Sequence, residues 1–361
     1  MAISDAAWCS ADIKGYLTKL RKPSSIAVSS ASIVVVKNYS FTVEVSTTSG
    51  GYIYATSADE TIAIAEVINN SRVKVSYVST GETDITIGVK DTVDYSGTST
   101  TVHVNCIVAN TTLSENSFEV ISSAIKGGAA PQLWNVGDRI PVVLNGKVGA
   151  YTFSNYTAYA YIIGFDHNAD IEGTNRVHFQ FAFNAASGGA HIAFCDSNYN
   201  SSGTGAMFHM NSSNVNTGGW GNSYMRKTIC GQFLSALPTD LQSVISACTK
   251  YTDNTGGGSD TASYVTSTSD KIFLPSEYEI QGARSYANSA EKNYQKQYDY
   301  YKNGNSKVMY NHNSTSSTVW WWLRSPGSSD SAYFCGVGTG GGADDAYASY
   351  SYGFAPCFTI A

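Results

Sequence analysis

The densest grouping of side chains able to bind a metal or move a proton is Asp166-His167-Asn168-Ala169-Asp170, two carboxylates and an imidazole within five positions. Such a set could contribute to a cation site, but a polar turn accounts for it as well, and no second cluster of ligands stands beside it in the chain. The other histidines, His103, His178, His191, His209 and His312, are scattered. So are the seven cysteines, Cys9, Cys106, Cys195, Cys230, Cys248, Cys335 and Cys357, which form no CxxC pair. They read as reduced, buried small hydrophobes, with Cys335 and Cys357 the first pair to check for a disulfide because both lie near the C-terminus. Gly336-Val337-Gly338-Thr339-Gly340-Gly341 fits the dinucleotide fingerprint GxGxxG. That motif works only between a strand and a helix, and a Gly/Ala/Asp/Tyr run follows here. No Ser/His/Asp order or carboxylate pair stands out. The sequence therefore predicts no enzyme, no cofactor and no metal.

The composition points to a different kind of chemistry. Charged residues make up 14% of the chain, well under the roughly 25% of an average soluble protein, and Tyr occurs 25 times. Ser, Thr, Asn, Gly and Tyr supply the polarity, which suits strands, turns and adhesive surfaces. A net charge of −6 speaks against nucleic acid as a partner. No apolar run approaches the roughly 20 residues that span a bilayer, and the N-terminus lacks the basic start and apolar block of a secretory signal. The stretch from Ser328 to Tyr352 is nearly all Ser, Gly, Ala, Asp and Tyr. Antibody recognition loops use a similar palette, with Tyr as rigid amphipathic contact area and small residues as adaptable filler.

Three segments must position these residues. Residues 1–23 read as a helix with Cys9, Ile13, Tyr16, Leu17 and Leu20 on one face, stopped by Pro23. So short a helix needs a surface to cover, either on its own chain or through self-association or attachment to a larger assembly. Residues 24–109 alternate short apolar strands with turn residues, about seven strands in all, which predicts an all-β sandwich. Residues 110–361 read as α+β. Ser114 is placed as the cap of a helix carrying Phe118, Ile121 and Ile125. Asp240 opens a helix carrying Leu241, Val244, Ile245 and Cys248. Ser276-Glu277-Tyr278-Glu279 has the capping-box pattern, and Asp253–Asp260 is an exposed loop.

Two resemblances follow from longer motifs. SSIAVSS, YATSADETIAIAE, GETDITIGV and TTVHV make residues 24–109 similar to bacterial immunoglobulin-like group 2 domains, which usually act as spacers or adhesive modules. GGWGNSYMRKTICGQFLSALPTDLQSVI, TSDKIFLPSEYEIQG, WWWLRSPG and GFAPCFTI, in that order, resemble a C-type-lectin-like domain of the formylglycine-generating-enzyme type. Such domains often form the variable proteins of diversity-generating retroelements. In those systems adenines of asparagine codons are replaced at random.

The resemblance implies a multidomain binding protein, phage-encoded and displayed on a virion or cell surface. Its partner would be a protein or glycan target on a host or neighbouring cell. The implied variable, ligand-binding positions are Ser329, Asp330, Ala332, Tyr333, Gly336, Gly338, Gly340, Gly342, Asp344, Asp345, Ala346, Tyr347, Ser349, Tyr350 and Tyr352. Phe334, Val337, Phe354 and Phe358 would be the fixed scaffold. The enzymes of this superfamily use a cysteine pair that has no counterpart here, and the calcium motifs of true lectins are missing. The alternative is a structural virion or tail protein whose C-terminal end does not vary. Of the consecutive Trp320, Trp321 and Trp322, alternation sends at least one toward the surface. Arg324 is expected as a buried hydrogen-bonding fork for loop carbonyls. The tyrosines are expected on one exposed face, as the rim of a shallow strand face that carries only Gly336, Gly338, Gly340 and Gly342.

Overall fold

The computed structural model describes residues 21–361. The proposed N-terminal helix lies almost wholly outside them. The chain forms two compact units, one of residues up to Ala109 with Lys126–Ala129, the other of Asn110–Ile125 and Ala130–Ala361. Both are rich in strand.

In the first unit two four-stranded sheets share one core. One sheet runs Ser32–Val36, Thr98–Ile107, Gly81–Val89, Ile53–Ser57, and the other Ile26–Val28, Ser40–Thr47, Arg72–Tyr77, Ala63–Asn69. Alternation drives the burial. Ile85 and Ile87 point in and Asp84 and Thr86 point out, while Val43, Val73 and Val75 meet them from the other sheet. Thr98–Ile107 closes the first sheet by pairing in parallel with Ser32–Val36 and antiparallel with Gly81–Val89. Gly88 is dictated by packing, since a Cβ there would lie 2.3 Å from the Tyr54 ring.

The second unit is built around its last strand. Cys357–Ile360 lies inside an antiparallel sheet ordered Arg139–Val148, Tyr151–Phe165, Val177–Phe183, Cys357–Ile360, Ile245–Ser246, and it also pairs with Ile272–Phe273. Val177–Phe183 is buried along its whole length. Phe179 stacks on Phe358 at 5.0 Å, and Phe181 meets Phe233 from the helix Cys230–Ala236. A separate three-stranded sheet, Trp321–Pro326, Tyr333–Val337, Ala343–Tyr347, carries the C-terminal hairpin.

Some local expectations shift. The first helix of this unit spans Phe118–Lys126, and the Ser117 hydroxyl accepts from the Val120 amide, so the capping serine is Ser117 and not Ser114. Ser114 sits instead in a 3-10 turn, Leu113–Glu115. The helix opened near Asp240 ends at Val244, because Ile245 and Cys248 are taken up by strands. The Asp253–Asp260 loop is only partly exposed: Asp253 is buried and its carboxylate accepts from the amides of Thr255 and Gly256.

Ile87 and Ile64 should separate core from surface in the first unit. Ile87→Ala, at a fully buried site, is expected to cost roughly 2–5 kcal/mol in urea unfolding. Ile64→Ala, at a site 47% exposed, should stay within about 0.5 kcal/mol.

Candidate functional site

The C-terminal hairpin pairs Tyr333 with Tyr347, Phe334 with Ala346, Cys335 with Asp345, Gly336 with Asp344 and Val337 with Ala343. Side chains alternate across this sheet. Tyr333, Asp345 and Tyr347 therefore share one side with Cys335, while Asp344 lies on the other side with Gly336. The glycines do not form one face of a strand. Gly338–Gly342 make the turn itself, with the Gly338 amide donating to Gly342 O and the Gly341 amide to Gly338 O, both at 2.9 Å, and with Gly341 at φ +85°. A turn suits this run better because glycine supplies the positive φ and has no side chain to bury. The GxGxxG match thus falls in a strand and its turn, with no helix after it.

The fifteen positions divide by burial. Ser329, Asp330, Gly340, Gly342 and Tyr347 are exposed, and Ala332, Tyr333, Asp344, Asp345, Tyr350 and Tyr352 are half-buried. Gly336, Gly338, Ala346 and Ser349 are buried, so the structure does not bring them to the surface. A Cβ on Gly336 would lie 3.1 Å from Trp321 O, and the Ser349 hydroxyl is engaged by Asn214 at 2.6 Å.

The aromatic residues form a continuous row. Tyr333 meets Tyr347 edge-on at 4.6 Å, and near-parallel ring pairs follow from Tyr347 to Tyr350 at 6.2 Å, Tyr350 to Tyr352 at 5.8 Å and Tyr352 to Trp320 at 5.6 Å. Trp321 and Trp322 are buried, leaving Trp320 as the outward member of the triplet. Tyr199 completes the row: it packs on Tyr352, and its hydroxyl accepts from the Trp320 amide. The backbone beneath is pinned on several sides. The amides of Ala348, Ser351 and Asn211 donate to Ala332 O, Ser201 O and Ala348 O, each at 2.9 Å.

The neighbouring loop hangs on one residue that the sequence did not single out. Buried Asn216 donates through Nδ2 to the carbonyls of Gly327, Asp330 and Tyr333, while its Oδ1 accepts from the Gly257 amide. Asn216 lies among other asparagines and serines and has no sequence mark of its own.

Electrostatics at the hairpin have one sign. Burial, then Asp344, Asp330 and Glu277, push the Asp345 carboxyl up to about 6. The Tyr333 hydroxyl is pushed up to about 12, first by its hydrogen bond to Tyr347. Burial, then Tyr199, Tyr350 and Asp344, do the same for Tyr352.

Behind the hairpin's first strand lies a buried ion network. The Lys250 ammonium donates to both oxygens of Glu172 at 2.9 and 2.8 Å, to Glu279 Oε1 at 3.2 Å and to the Tyr298 hydroxyl at 2.9 Å. Arg324 grips both oxygens of Glu279 and donates to Leu274 O and Thr252 Oγ1. Arg324 is thus a buried fork as expected, but for a carboxylate more than for carbonyls. Burial opposes charge on Glu279, yet Arg324 and Lys250 outweigh it and hold its carboxyl well below the usual range. The capping box is present as well: the Ser276 hydroxyl accepts from the Glu279 amide and Glu279 accepts from the Ser276 amide.

Glu172, His178 and Cys248, and likewise His167, Glu172 and Glu279, bring possible metal-ligand atoms within 4.8 Å of one another. The Lys250 ammonium already supplies a cation to Glu172 and Glu279, so neither set reads as an open metal site. The Asp166–Asp170 stretch runs from a turn into the helix Ala169–Glu172: Asp166 accepts from the Arg176 amide, Asn168 donates to Tyr294 O, and Asp170 points to solvent. It borders a cleft of about 820 Å³ whose rim mixes Asp170 and Asp299 with Lys292, Lys296 and Lys302. The six described cysteines are free buried thiols, Cys335 and Cys357 included.

Residues 203–361 match the model of a family described as a domain of unknown function (DUF6273). The match takes in the ion-network residues Lys250, Glu279 and Arg324 and the whole hairpin. No curated protein matches the chain.

Two stability tests follow. Lys250→Met leaves Glu172 buried without its cation and should cost roughly 3–5 kcal/mol, with part recovered in Lys250→Met/Glu172→Gln. Burial lowers His167 and His191 to about 3 and His312 to about 4, and holds His178 well below its usual value. Their folded values lie below 6.5, so their stability is full above 6.5 and is lost as pH falls, roughly 2 kcal/mol by pH 5 for each of His167, His191 and His312 and in the same direction for His178. Glu291, raised to about 7 mainly by burial, acts oppositely: its contribution is lost as pH rises through 7. Asp345, raised to about 6, and Glu172, also raised by burial, act in the same sense as Glu291, and the four histidines outweigh these three acids. The urea midpoint should therefore be lower at pH 5 than at pH 7.5, and a flat profile would contradict this burial.

Proposed function

We propose that the hairpin and its aromatic row are the ligand-recognition surface of a C-type-lectin-like domain, carried on an immunoglobulin-like spacer and displayed on a virion or cell surface. The observation that carries this reading is the row itself. Tyr333, Tyr347, Tyr350 and Trp320 keep part of their rings in solvent while the backbone beneath them is fixed by hydrogen bonds. Half-exposed aromatics on a rigid frame lose little conformational freedom on binding and present large amphipathic area, the character of interface hot spots.

The same geometry refines which positions could vary if the domain belongs to a diversity-generating retroelement. Gly340 and Gly342 have open space where a Cβ would stand. Ser329, Asp330 and Tyr347 are exposed, and Tyr350 is half-buried at the surface. Gly336, Ala346 and Ser349 are buried, and variation should spare them.

Two measurements test this. Tyr347→Ala/Tyr350→Ala should leave stability within about 1 kcal/mol, whereas Tyr352→Ala, which removes a ring packed on Trp320, Trp322 and Tyr199, should cost more. A display library randomised at Ser329, Asp330, Gly340, Gly342, Tyr347 and Tyr350 should stay folded and yield binders to an arbitrary protein such as egg-white lysozyme. A library at Gly336, Ala346 and Ser349 should mostly unfold. If the first library unfolds, the surface is structural. A neighbouring reverse-transcriptase gene with a repeat differing only at adenines would support natural variation, and an invariant locus would favour a fixed virion protein.

A further inference from the structure

We infer that the partner of this surface, in the sequence present here, is a protein segment presenting arginine or lysine side chains to the tyrosine row. The inference rests on the recognition reading above and adds the charge of the occupant.

The first observation is the carboxylates. Asp344 and Asp345 leave the edge strand Ala343–Tyr347 on opposite sides, and Asp330 stands exposed at the loop beside Tyr333. None of the three makes an ion pair among the described residues. Elsewhere in this unit some acids hold a cation, as Asp270 holds Arg226 at 2.6 Å, Asp260 holds Arg284 at 3.2 Å, and Glu172 and Glu279 hold Lys250, while buried Asp196, Asp253, Glu277 and Glu291 are met by amide and hydroxyl donors. Arg284, the nearest guanidinium in sequence to Tyr286, is further committed to Ala287 O and to the Ser328 hydroxyl. The hairpin carboxylates thus stand together, three acids around Tyr333 and Tyr347, with no cation of this unit in an ion pair with them. Asp344, Asp330 and Glu277 also crowd Asp345, and burial adds to that crowding.

The second, independent observation is the ring row. The face of an aromatic ring carries partial negative charge and attracts cations, most strongly a guanidinium that can also lie flat on it. Tyr347, Tyr350, Tyr352 and Trp320 lie near-parallel, with interplanar angles of 25°, 19° and 26° between successive members. Rings and carboxylates thus favour the same sign of ligand. An anionic glycan or nucleic acid would meet repulsion from both. A neutral ligand would leave the carboxylates unpaired while covering them, which costs more than leaving them in water.

The experiment uses the full chain and three fluorescein-labelled peptides of equal length, alternating Gly with Arg, Gln or Glu, in fluorescence anisotropy at low salt. The Arg peptide should bind at least about tenfold more tightly than the other two, and salt should weaken it. Asp344→Asn/Asp345→Asn should remove most of that preference. Tyr347→Ala/Tyr350→Ala, which leaves net charge unchanged, should also weaken binding. Glu82→Gln/Asp84→Asn, an equal charge change in the first unit, should leave it intact. Equal binding of all three peptides overturns the inference, as does an Arg preference that the Glu82/Asp84 control weakens as much as the hairpin variants do. Binding of the Gln or Glu peptide that depends on Tyr347 and Tyr350 also overturns the cationic partner, but leaves the recognition surface standing. Failure of the randomised display library is the separate result that removes the surface itself.

Discussion

The ion network of Glu172, Lys250, Glu279 and Arg324 holds the second unit in one arrangement. It ties together four elements far apart in sequence: the turn of helix Ala169–Glu172, the strand Cys248–Asp253, the helix Glu277–Gln281 and the strand Trp321–Pro326. Four charges in a dry interior are costly to desolvate, and their attraction repays that only if every donor and acceptor is met. Here they are met. Lys250 has four oxygen contacts, Arg324 is gripped by Glu279, Leu274 O and Thr252, and Glu279 also caps its own helix. Replacing any member leaves a charge stranded. The network therefore specifies register more than it adds stability, because a shifted strand would separate the partners. Its consequence for function is positional. Trp321–Pro326 is the strand on which the C-terminal hairpin is paired, so Arg324 helps set where Tyr333–Val337 lies.

That arrangement also explains why the hairpin can be made of small and adaptable residues. Gly, Ser, Ala and Asp have little capacity to fold a surface by themselves. The surface is held instead by the buried side chains of Phe334 on one side of the hairpin and Cys335 and Val337 on the other, and by Asn216 and the amides around Ala348 and Ser351. Position and chemistry are thereby separated. A change at Tyr347 or Gly340 touches solvent, while a change at Gly336 or Ser349 touches the frame.

Much of this was legible in the sequence, and the parts that were not share a cause. Alternation in Ile85-Thr86-Ile87 and its neighbours was enough to place the strands of the first unit, because a period of two is a local property. The capping box at Ser276 was legible for the same reason. The lone position of Arg324 beside three tryptophans suggested a buried fork, but its partner Glu279 stands 45 residues away and could not be read from spacing. The helix expected from Asp240 to Cys248 failed because Ile245 and Cys248 are claimed by other strands, a tertiary demand that overrides a helical stripe. The glycine alternation was misread as a strand face, since an apolar alternation and a Gly-rich turn look alike until the pairing partner is known. At the site, composition found the tyrosines. It could not sort Gly336 from Gly340, because that difference is the distance to Trp321 O in one case and open solvent in the other.

The contrast between the two acidic regions gives the surface its meaning. Glu172 and Glu279 lie fully buried, and the fold brings a lysine and an arginine to them because removing such a partner costs roughly 3–5 kcal/mol. Asp330, Asp344 and Asp345 keep contact with water, so the fold survives without pairing them, though Asp345 is pushed up to about 6 by burial and its acidic neighbours. Selection for stability alone would favour asparagine or lysine at such positions, since like charges on adjacent strand positions repel. An edge strand that keeps two adjacent carboxylates next to open tyrosine rings bears a local electrostatic penalty that a cationic occupant would relieve on binding.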